Sequence, residues 1–410
     1  MLQKRKSITV MAFGMAVVMS LAGCGSGAKN ADSGPVAAST GKQNEEAPSE
    51  APANAQWLAA ANLDGEETPE QLYEKAKEEG KVVIYTMTSR ATDVKESFEK
   101  QYPGVTAEVY DMRMGEILEK FQREYEAGIH NVDLMVIKDA DGSAYHDFIQ
   151  TGMMHNYIPF DFKDKISEEN QKVGLIAYTE FKQIIYNTEK YPECPIDSWW
   201  DLTRPEYKGK LMMPNPASNA EIMGLFMAMV QHSDQMEEAY REEFGEDIVL
   251  DGTENAGYEF VKRLAANDLI LTESDGDVCE AVGKAGQTDP PTGIVTSSKM
   301  RSVEDKGWVM EVATDVSPME SVDAPAFVML ADQAEHVNAA KLFMRWMCGE
   351  ADGKGEGYKK FAVRGCWSVR SDQPPVAGNK PYAEIPLWPL DMEYNYSLTR
   401  DMNDFWISLQ

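Results

Sequence analysis

Between Val82 and Gly152 short β-rich apolar runs alternate with amphipathic segments, and this order constrains the fold more than any other feature of the chain. Thr68 at N-cap, Pro69 at N1, Gln71 closing a capping box and Gly80 at the end delimit a first helix. Val82–Tyr85 follows as a buried strand, then the polar loop Thr86–Thr92 and a helix to about Tyr102. Pro103-Gly104 turns the chain into a second strand, Val105–Tyr110. Gly115–Ala127 reads as a helix with Ile117, Leu118 and Phe121 on one face, stopped by Gly128. Asp133–Ile137 is a third strand, and a further helix ends at Gly152. Strand and helix in strict alternation give an α/β fold with a parallel sheet covered by helices.

The pattern changes beyond this unit. Leu175–Tyr178 and Gln183–Asn187 are strands with no full crossover helix between them, which suits a passage into a second domain. Leu211–Met213 is a strand, and Ser218-Asn219-Ala220-Glu221 is a capping box opening the helix Ile222–Gln231. Helix Ala256–Asn267, strand Leu269–Thr272, helix Asp277–Gly283 and strand Gly293–Thr296 complete a second α/β unit. Ala326–Leu330 is another strand and His336–Met347 a strongly apolar helix, while the Pro-, Trp- and Tyr-rich C-terminus carries no clear period. The expected division is 68–177 with 318–350 as lobe 1, and 178–317 with 351–410 as lobe 2.

The N-terminus gives an address. Lys4, Arg5 and Lys6 precede an apolar run from Ile8 to Leu21, the pattern of an export signal, and the run is too short for a bilayer span. Leu21-Ala22-Gly23-Cys24 resembles the bacterial lipobox, which implies cleavage of residues 1–23 and lipid on Cys24. Residues 24–67, rich in Ala, Ser, Gly, Pro, Asn and Glu, read as a flexible tether. The expected location is therefore the outer face of the cell membrane, held by lipid. Of the remaining cysteines, Cys194, Cys279, Cys348 and Cys366, spacing selects neither a pairing nor free thiols, and no CxxC or His-rich cluster suggests zinc.

Charge narrows the partners. The 39 Lys and Arg against 68 Asp and Glu give −29, which loss of Lys4, Arg5 and Lys6 with the signal would deepen to −32. Such a chain is no nucleic-acid binder and does not adhere broadly to anionic lipid, yet a small anion in one cleft is compatible with it. There is no HExxH, no GxSxG elbow and no P-loop, so an exported enzyme is disfavoured. Asp139-Ala140-Asp141-Gly142 and Asp275-Gly276-Asp277 lack EF-hand order and read as capped turns.

Several passages together carry a family resemblance: Phe98-Glu99-Lys100-Gln101-Tyr102-Pro103-Gly104, Tyr186-Asn187-Thr188, Ser198-Trp199-Trp200-Asp201-Leu202, Pro205-Glu206-Tyr207-Lys208-Gly209-Lys210, and the helix Asn338–Met347. In this order they resemble the extracellular solute-binding proteins of bacterial ABC importers, in the ferric-ion-binding-like branch of the type 2 periplasmic binding proteins. The resemblance spans about Leu72 to Ser371. It implies two α/β lobes joined by crossing strands, a cleft that closes on a small-molecule solute, and a membrane permease as partner. A monomer without cofactor is expected. The same resemblance puts Trp199 and Trp200 in the frame.

In open α/β sheets ligands lie beyond the strand C-termini, where helix N-termini favour anions. The candidate ligand residues are accordingly Thr88, Ser89 and Arg90 after the first strand, Lys138 and Asp139 after the third, Ser218 and Asn219, and Ser297 and Ser298. Arg90 and Lys138 are expected to make a locally positive pocket inside an acidic shell. Ferric-ion binders of this branch carry a carboxylate soon after the third strand and a tandem tyrosine pair in the second lobe. Here Lys138 or Asp139 stands at the first place and Ser297-Ser298 at the second. Fe³⁺ prefers anionic oxygen ligands, so the expected solute is a small anionic or zwitterionic organic molecule, phosphorylated ones included. Ferric ion is the alternative.

Overall fold

The computed structural model describes residues 54–410. The expected signal, Cys24 and most of the expected tether lie outside the described residues. In chain order the strands are β1 Lys81–Thr86, β2 Thr106–Asp111, β3 Leu134–Ile137, β4 Met154–His155, β5 Leu175–Glu180, β6 Lys182–Asn187, β7 Leu211–Pro214, β8 Ile270–Thr272, β9 Thr292–Thr296, β10 Met310–Val312, β11 Ser321–Val322, β12 Ala324–Ala331 and β13 Leu387–Trp388. The α-helices are α1 Ala55–Ala61, α2 Pro69–Glu79, α3 Arg90–Gln101, α4 Met114–Glu126, α5 Ala220–Gln231, α6 Ser233–Phe244, α7 Ala256–Ala265, α8 Asp275–Gly283, α9 Val303–Lys306, α10 Val337–Met347 and α11 Met392–Ser408.

Two mixed sheets organise these elements. The first runs β2-β1-β3-β12-β4, with β5 also on β12; β1, β2 and β3 are parallel and β12 is antiparallel to β3. The second runs β10-β6-β9-β7-β8, parallel between β7 and its two neighbours. Each sheet is apolar on both faces because helices cover both. Phe98 of α3 and Phe343 of α10 pack on one face of the first sheet, Ile117 and Phe121 of α4 on the other. Phe226 of α5 and Phe260 of α7 pack on one face of the second sheet, Val278 and Val282 of α8 on the other. Trp199 and Trp200 are fully buried in the second core, each indole N–H donating to a backbone carbonyl.

The crossing between sheets is shorter than the sequence reading allowed. β5 and β6 are separated only by Phe181, so the chain leaves one sheet and enters the other across Glu180-Phe181-Lys182. It returns through Val322–Ala324, where Asp323 accepts a hydrogen bond from the Thr179 hydroxyl of the outgoing strand.

Other local differences have identifiable causes. Part of the expected tether is ordered: the α1 residue Trp57 donates to the Ala334 carbonyl at 2.9 Å, and Glu67 pairs with the buried Lys341 at 3.2 Å. The Trp57 ring, the pairing of Glu67 with Lys75 and Lys341, and the Lys341 bond to the Asn62 carbonyl fix a stretch whose composition is otherwise that of a linker. The helix expected after Asp141 is a π-helical segment, Tyr145–Ile149. Besides α1 and the four-residue α9, two longer helices carry no mark in the reading above, α6 and the seventeen-residue α11. Met402 and Trp406 of α11 sit in the second core, while Asn395, nearer its start, donates 2.8 Å to the Ala140 carbonyl beside β3. Cys194, Cys279, Cys348 and Cys366 are all free thiols.

Candidate functional site

The crossing strands bring charges of both signs to the gap between the sheets. Lys138 follows β3, and its ammonium donates to Glu180 Oε1 at 2.5 Å and to Glu221 Oε1 at 2.6 Å. Glu180 ends β5, on the first sheet; Glu221 lies in the first turn of α5, against the second. Lys182, at the start of β6, lies 3.0 Å from Asp275 Oδ1 and 3.5 Å from Glu221 Oε2, and donates 2.8 Å to the Thr296 hydroxyl. Arg90 opens α3, and its guanidinium lies 3.3 Å from Glu180 Oε2 and donates to Cys366 Sγ at 3.0 Å. It also sits 4.5 Å from the Tyr178 ring centroid, with Phe361 stacked on that ring.

Burial alone would neutralise such groups, lowering the lysines and raising the carboxylates. Mutual pairing wins. Lys138 is held above the ordinary lysine range by Glu180 and Glu221 despite its burial. Glu180 is held below the ordinary carboxylate range, burial being outweighed by Lys138 and Arg90 with a hydrogen bond from Ser298. Glu221 and Asp275 are likewise lowered against burial, by Lys138 and Lys182 and by Lys182 respectively.

This corrects the expectation of a positive pocket. Arg90, Lys138 and Lys182 face Glu180, Glu221 and Asp275, so the centre is charge-balanced. Four residues of this set, Glu180, Lys182, Glu221 and Asp275, are not among the sequence candidates; Glu221 is read there only as the end of a capping box. Their signal is present in the sequence, however: two opposite charges flank Phe181 between two apolar strand runs, and Asp275 lies in a turn read as capped at the start of a helix.

The other candidates have separate positions. Thr88 is buried, and its N–H donates to Thr86 Oγ1 at 3.1 Å. Ser89 is exposed and makes no side-chain cap to α3. Asp139 accepts from the Ala144 and Tyr145 N–H groups at 2.9 and 2.7 Å, the capped turn expected of it. Burial nonetheless pushes its carboxyl up to about 7 against those two bonds. Ser218 is exposed and lies in a 3₁₀ turn, so the capping box is not formed as read; Asn219 is the N-cap of α5, accepting from Ile222 N–H at 3.1 Å. The Ser297 hydroxyl donates to the Gly365 carbonyl at 2.6 Å and accepts from Phe181 N–H at 3.2 Å. Ser298 accepts from Arg301 at 3.1 Å as well as serving Glu180. Arg90, Lys138 and Ser298 thus meet at Glu180, whereas Ser89 and Ser218 face solvent.

Beside the ion pairs lies a narrow cavity, with space for water centres of ≈ 10 Å³, about one water. Lys138, Lys182, Glu221 and Asp323 line it with Pro325 and Leu390. The cleft is closed in this conformation, its polar groups satisfied by one another.

Comparison with known proteins accords with this architecture. Residues 93–375 match the family described as bacterial extracellular solute-binding protein. Iron-bound HitA from Pseudomonas aeruginosa superposes with a TM-score of 0.62 at 12% identity, covering 80% of this chain and 99% of that one. AfuA from Actinobacillus pleuropneumoniae, with exogenous fructose-6-phosphate bound, gives 0.58 at 18% identity over 80% and 98%. The periplasmic binding protein P5PA gives 0.59 at 16% identity over 80% and 99%. No curated protein sequence matches. At these identities the structural likeness carries the two-lobed fold.

Proposed function

The chain belongs to the bacterial extracellular solute-binding protein family, and from that premise we propose that it serves an ABC importer by taking a small anionic or zwitterionic organic solute, phosphorylated ones included, into the cleft and delivering it to the permease. The observation that carries this reading is the Lys138–Glu221 pair. Lys138 belongs to one sheet and Glu221 to a helix on the other, so separation of the sheets leaves the ammonium without one of its two carboxylates. A buried ammonium short of a partner is costly, and an entering anion takes the place Glu221 held. Arg90 and Lys182 stand beside it as further cations. Ligand then shifts the population back toward the closed form, which the permease engages.

The iron of HitA and the fructose-6-phosphate of AfuA frame the two alternatives. Ferric ion has less support here. The donors at the two expected positions are committed: Asp139 to backbone N–H groups and Ser297 to backbone partners of β5–β6 and the C-terminal chain. Among the described residues a three-carboxylate cluster, Asp197, Asp201 and Glu243, is engaged by Arg204.

The lipobox-like Leu21–Cys24 supports a lipid anchor on Cys24, and no helix among the described residues is long and apolar enough to cross a membrane. The protein acts as a monomer anchored at the outer face of the membrane. Titration calorimetry with phosphorylated metabolites, amino acids, Fe³⁺ and neutral sugars tests the solute class. Binding of anionic or zwitterionic members is expected; tight Fe³⁺ binding with no response to any anion overturns it.

A further inference from the structure

Asp323 lines the same cavity as Lys138 and Lys182 but differs from the other carboxylates there. Glu180, Glu221 and Asp275 each face a lysine within ion-pair distance. Asp323 is held instead by hydroxyl groups, accepting from Thr179 Oγ1 on one oxygen and from the Tyr382 phenol at 2.7 Å on the other. Both donors are themselves fixed, Thr179 within β5 and Tyr382 in the C-terminal chain packed against Phe181 and Trp367. The carboxylate is therefore positioned rigidly in the second crossing segment, a short way from the ammonium of Lys138. Burial raises its proton affinity, with the two hydroxyl bonds and Lys138 opposing. Lys138 acts on it only at a distance, and among the described residues no Lys, Arg or His lies within ion-pair distance of it, so a carboxylate in this setting gains from a cation brought into contact with it. The rest of the wall includes Val322, Pro325 and Leu390, apolar side chains that suit methylene groups and offer a sugar ring little to hydrogen-bond.

We infer that Asp323 reads a cationic group on the solute, so that the cleft selects a short aliphatic zwitterion: its anionic end on Lys138 and Lys182, its ammonium on Asp323, its carbons against the apolar wall. The inference rests on the reading of the cleft as an anion or zwitterion site and narrows it. It separates this chain from a binder of simple anions, because a solute lacking the ammonium leaves the Asp323 carboxylate buried beside a second anion with no counter-charge on the solute at closure.

Matched probes test it on the full-length protein: phosphoethanolamine against ethyl phosphate, and β-alanine against propionate, each titrated calorimetrically. The amino member of at least one pair is expected to bind more tightly by at least about tenfold. Asp323→Asn, isosteric, keeps one oxygen to accept from a hydroxyl and turns an amide N–H₂ toward the other hydroxyl, whose oxygen can accept it; it is expected to bring that ratio close to one by weakening the amino member and not the member without the amine. Equal affinity within each pair overturns the inference, as does an Asp323→Asn variant that weakens both members alike. If the variant does not fold, the wild-type ratio decides alone. Failure of every pair also overturns it; a sugar phosphate that binds in the same experiment leaves the broader anion reading standing, whereas binding of Fe³⁺ or a neutral sugar alone removes both.

Discussion

Glu221 Oε1 lies 2.6 Å from Lys138 Nζ and joins the end of β3 on one sheet to the first turn of α5 on the other. The pair is almost fully enclosed, with 13% and 5% of the two side chains exposed. Breaking one partner of such a buried pair costs on the order of 3 kcal/mol, enough to shift a two-state equilibrium by about a hundredfold. Glu221→Gln is therefore expected to open the ligand-free protein. Small-angle scattering is expected to give a larger radius of gyration for the variant than for the wild type without ligand. Identical curves would show that this pair does not hold the cleft shut.

The cap of α5 offers a second comparison. Asn219 accepts from Ile222 N–H, while the Ser218 hydroxyl donates only to the nearby Asn215 carbonyl at 3.3 Å and is exposed. Asn219→Ala is expected to cost about 1 kcal/mol of stability, the usual loss for an N-cap, and Ser218→Ala to stay within about 0.5 kcal/mol of wild type. Urea unfolding of the two variants measures both. A greater loss at Ser218 would contradict the assignment.

These residues also show what could be read from the sequence. Val82–Tyr85 and Asp133–Ile137 are apolar throughout because helices cover both faces of their sheet, and their loops led to Arg90 and Lys138 by the rule that sites lie past strand C-termini. Glu180 and Lys182 fall outside the strand patterns legible in the sequence, which end at Tyr178 and resume at Gln183. In the fold the two charges belong to continuous strands, and only tertiary pairing makes their burial tolerable. The capping box failed by one residue because the Pro216–Ser218 turn delays the start of α5. α11 carries no clear period because its apolar positions are diluted by Asn, Ser and Thr, and its exposed face includes Tyr396 and Ile407 among Ser, Asp and Arg. Its placement depends on Met402 and Trp406, whose partners are remote in sequence.

Gly365 is a position where the backbone decides. Its φ is 79°, and a Cβ there would lie 1.9 Å from the Ser297 carbonyl oxygen and 2.8 Å from the Ser298 nitrogen. Both obstacles are backbone, so neither yields cheaply, and Ser297 and Ser298 belong to the loop leading from β9 to the cleft. Gly365→Ala is expected to destabilise by about 3 kcal/mol or more. Gly378 makes a control: its φ is 87°, but the nearest obstacle is the flexible Arg364 side chain at 3.2 Å. Gly378→Ala is expected to cost only about 1 kcal/mol, from the conformation alone. Denaturant midpoints compare them, and similar losses at the two glycines would refute the steric argument.

His336 and Asp133 give the stability a pH dependence of defined sign. Asp133 is fully buried at the start of β3; it accepts from Val83 N–H at 2.7 Å and from His336 N–H at 2.9 Å, and the imidazole Nδ1 lies 3.0 Å from its Oδ2. The hydrogen bond to Asp133 raises the His336 pKa above its ordinary value, against burial and with the Asp133 charge assisting. A histidine raised in the folded state stabilises fully below its unfolded pKa of about 6.5, and that stabilisation is lost as pH rises through the folded value. His336→Gln removes the titrating group while keeping a donor. The wild type is thus expected to exceed the variant in melting temperature most at mildly acid pH, with the gap narrowing steadily as pH rises past neutrality. Calorimetric melting of both proteins across that range decides the matter, since parallel curves would mean that the imidazole carries no more charge folded than unfolded.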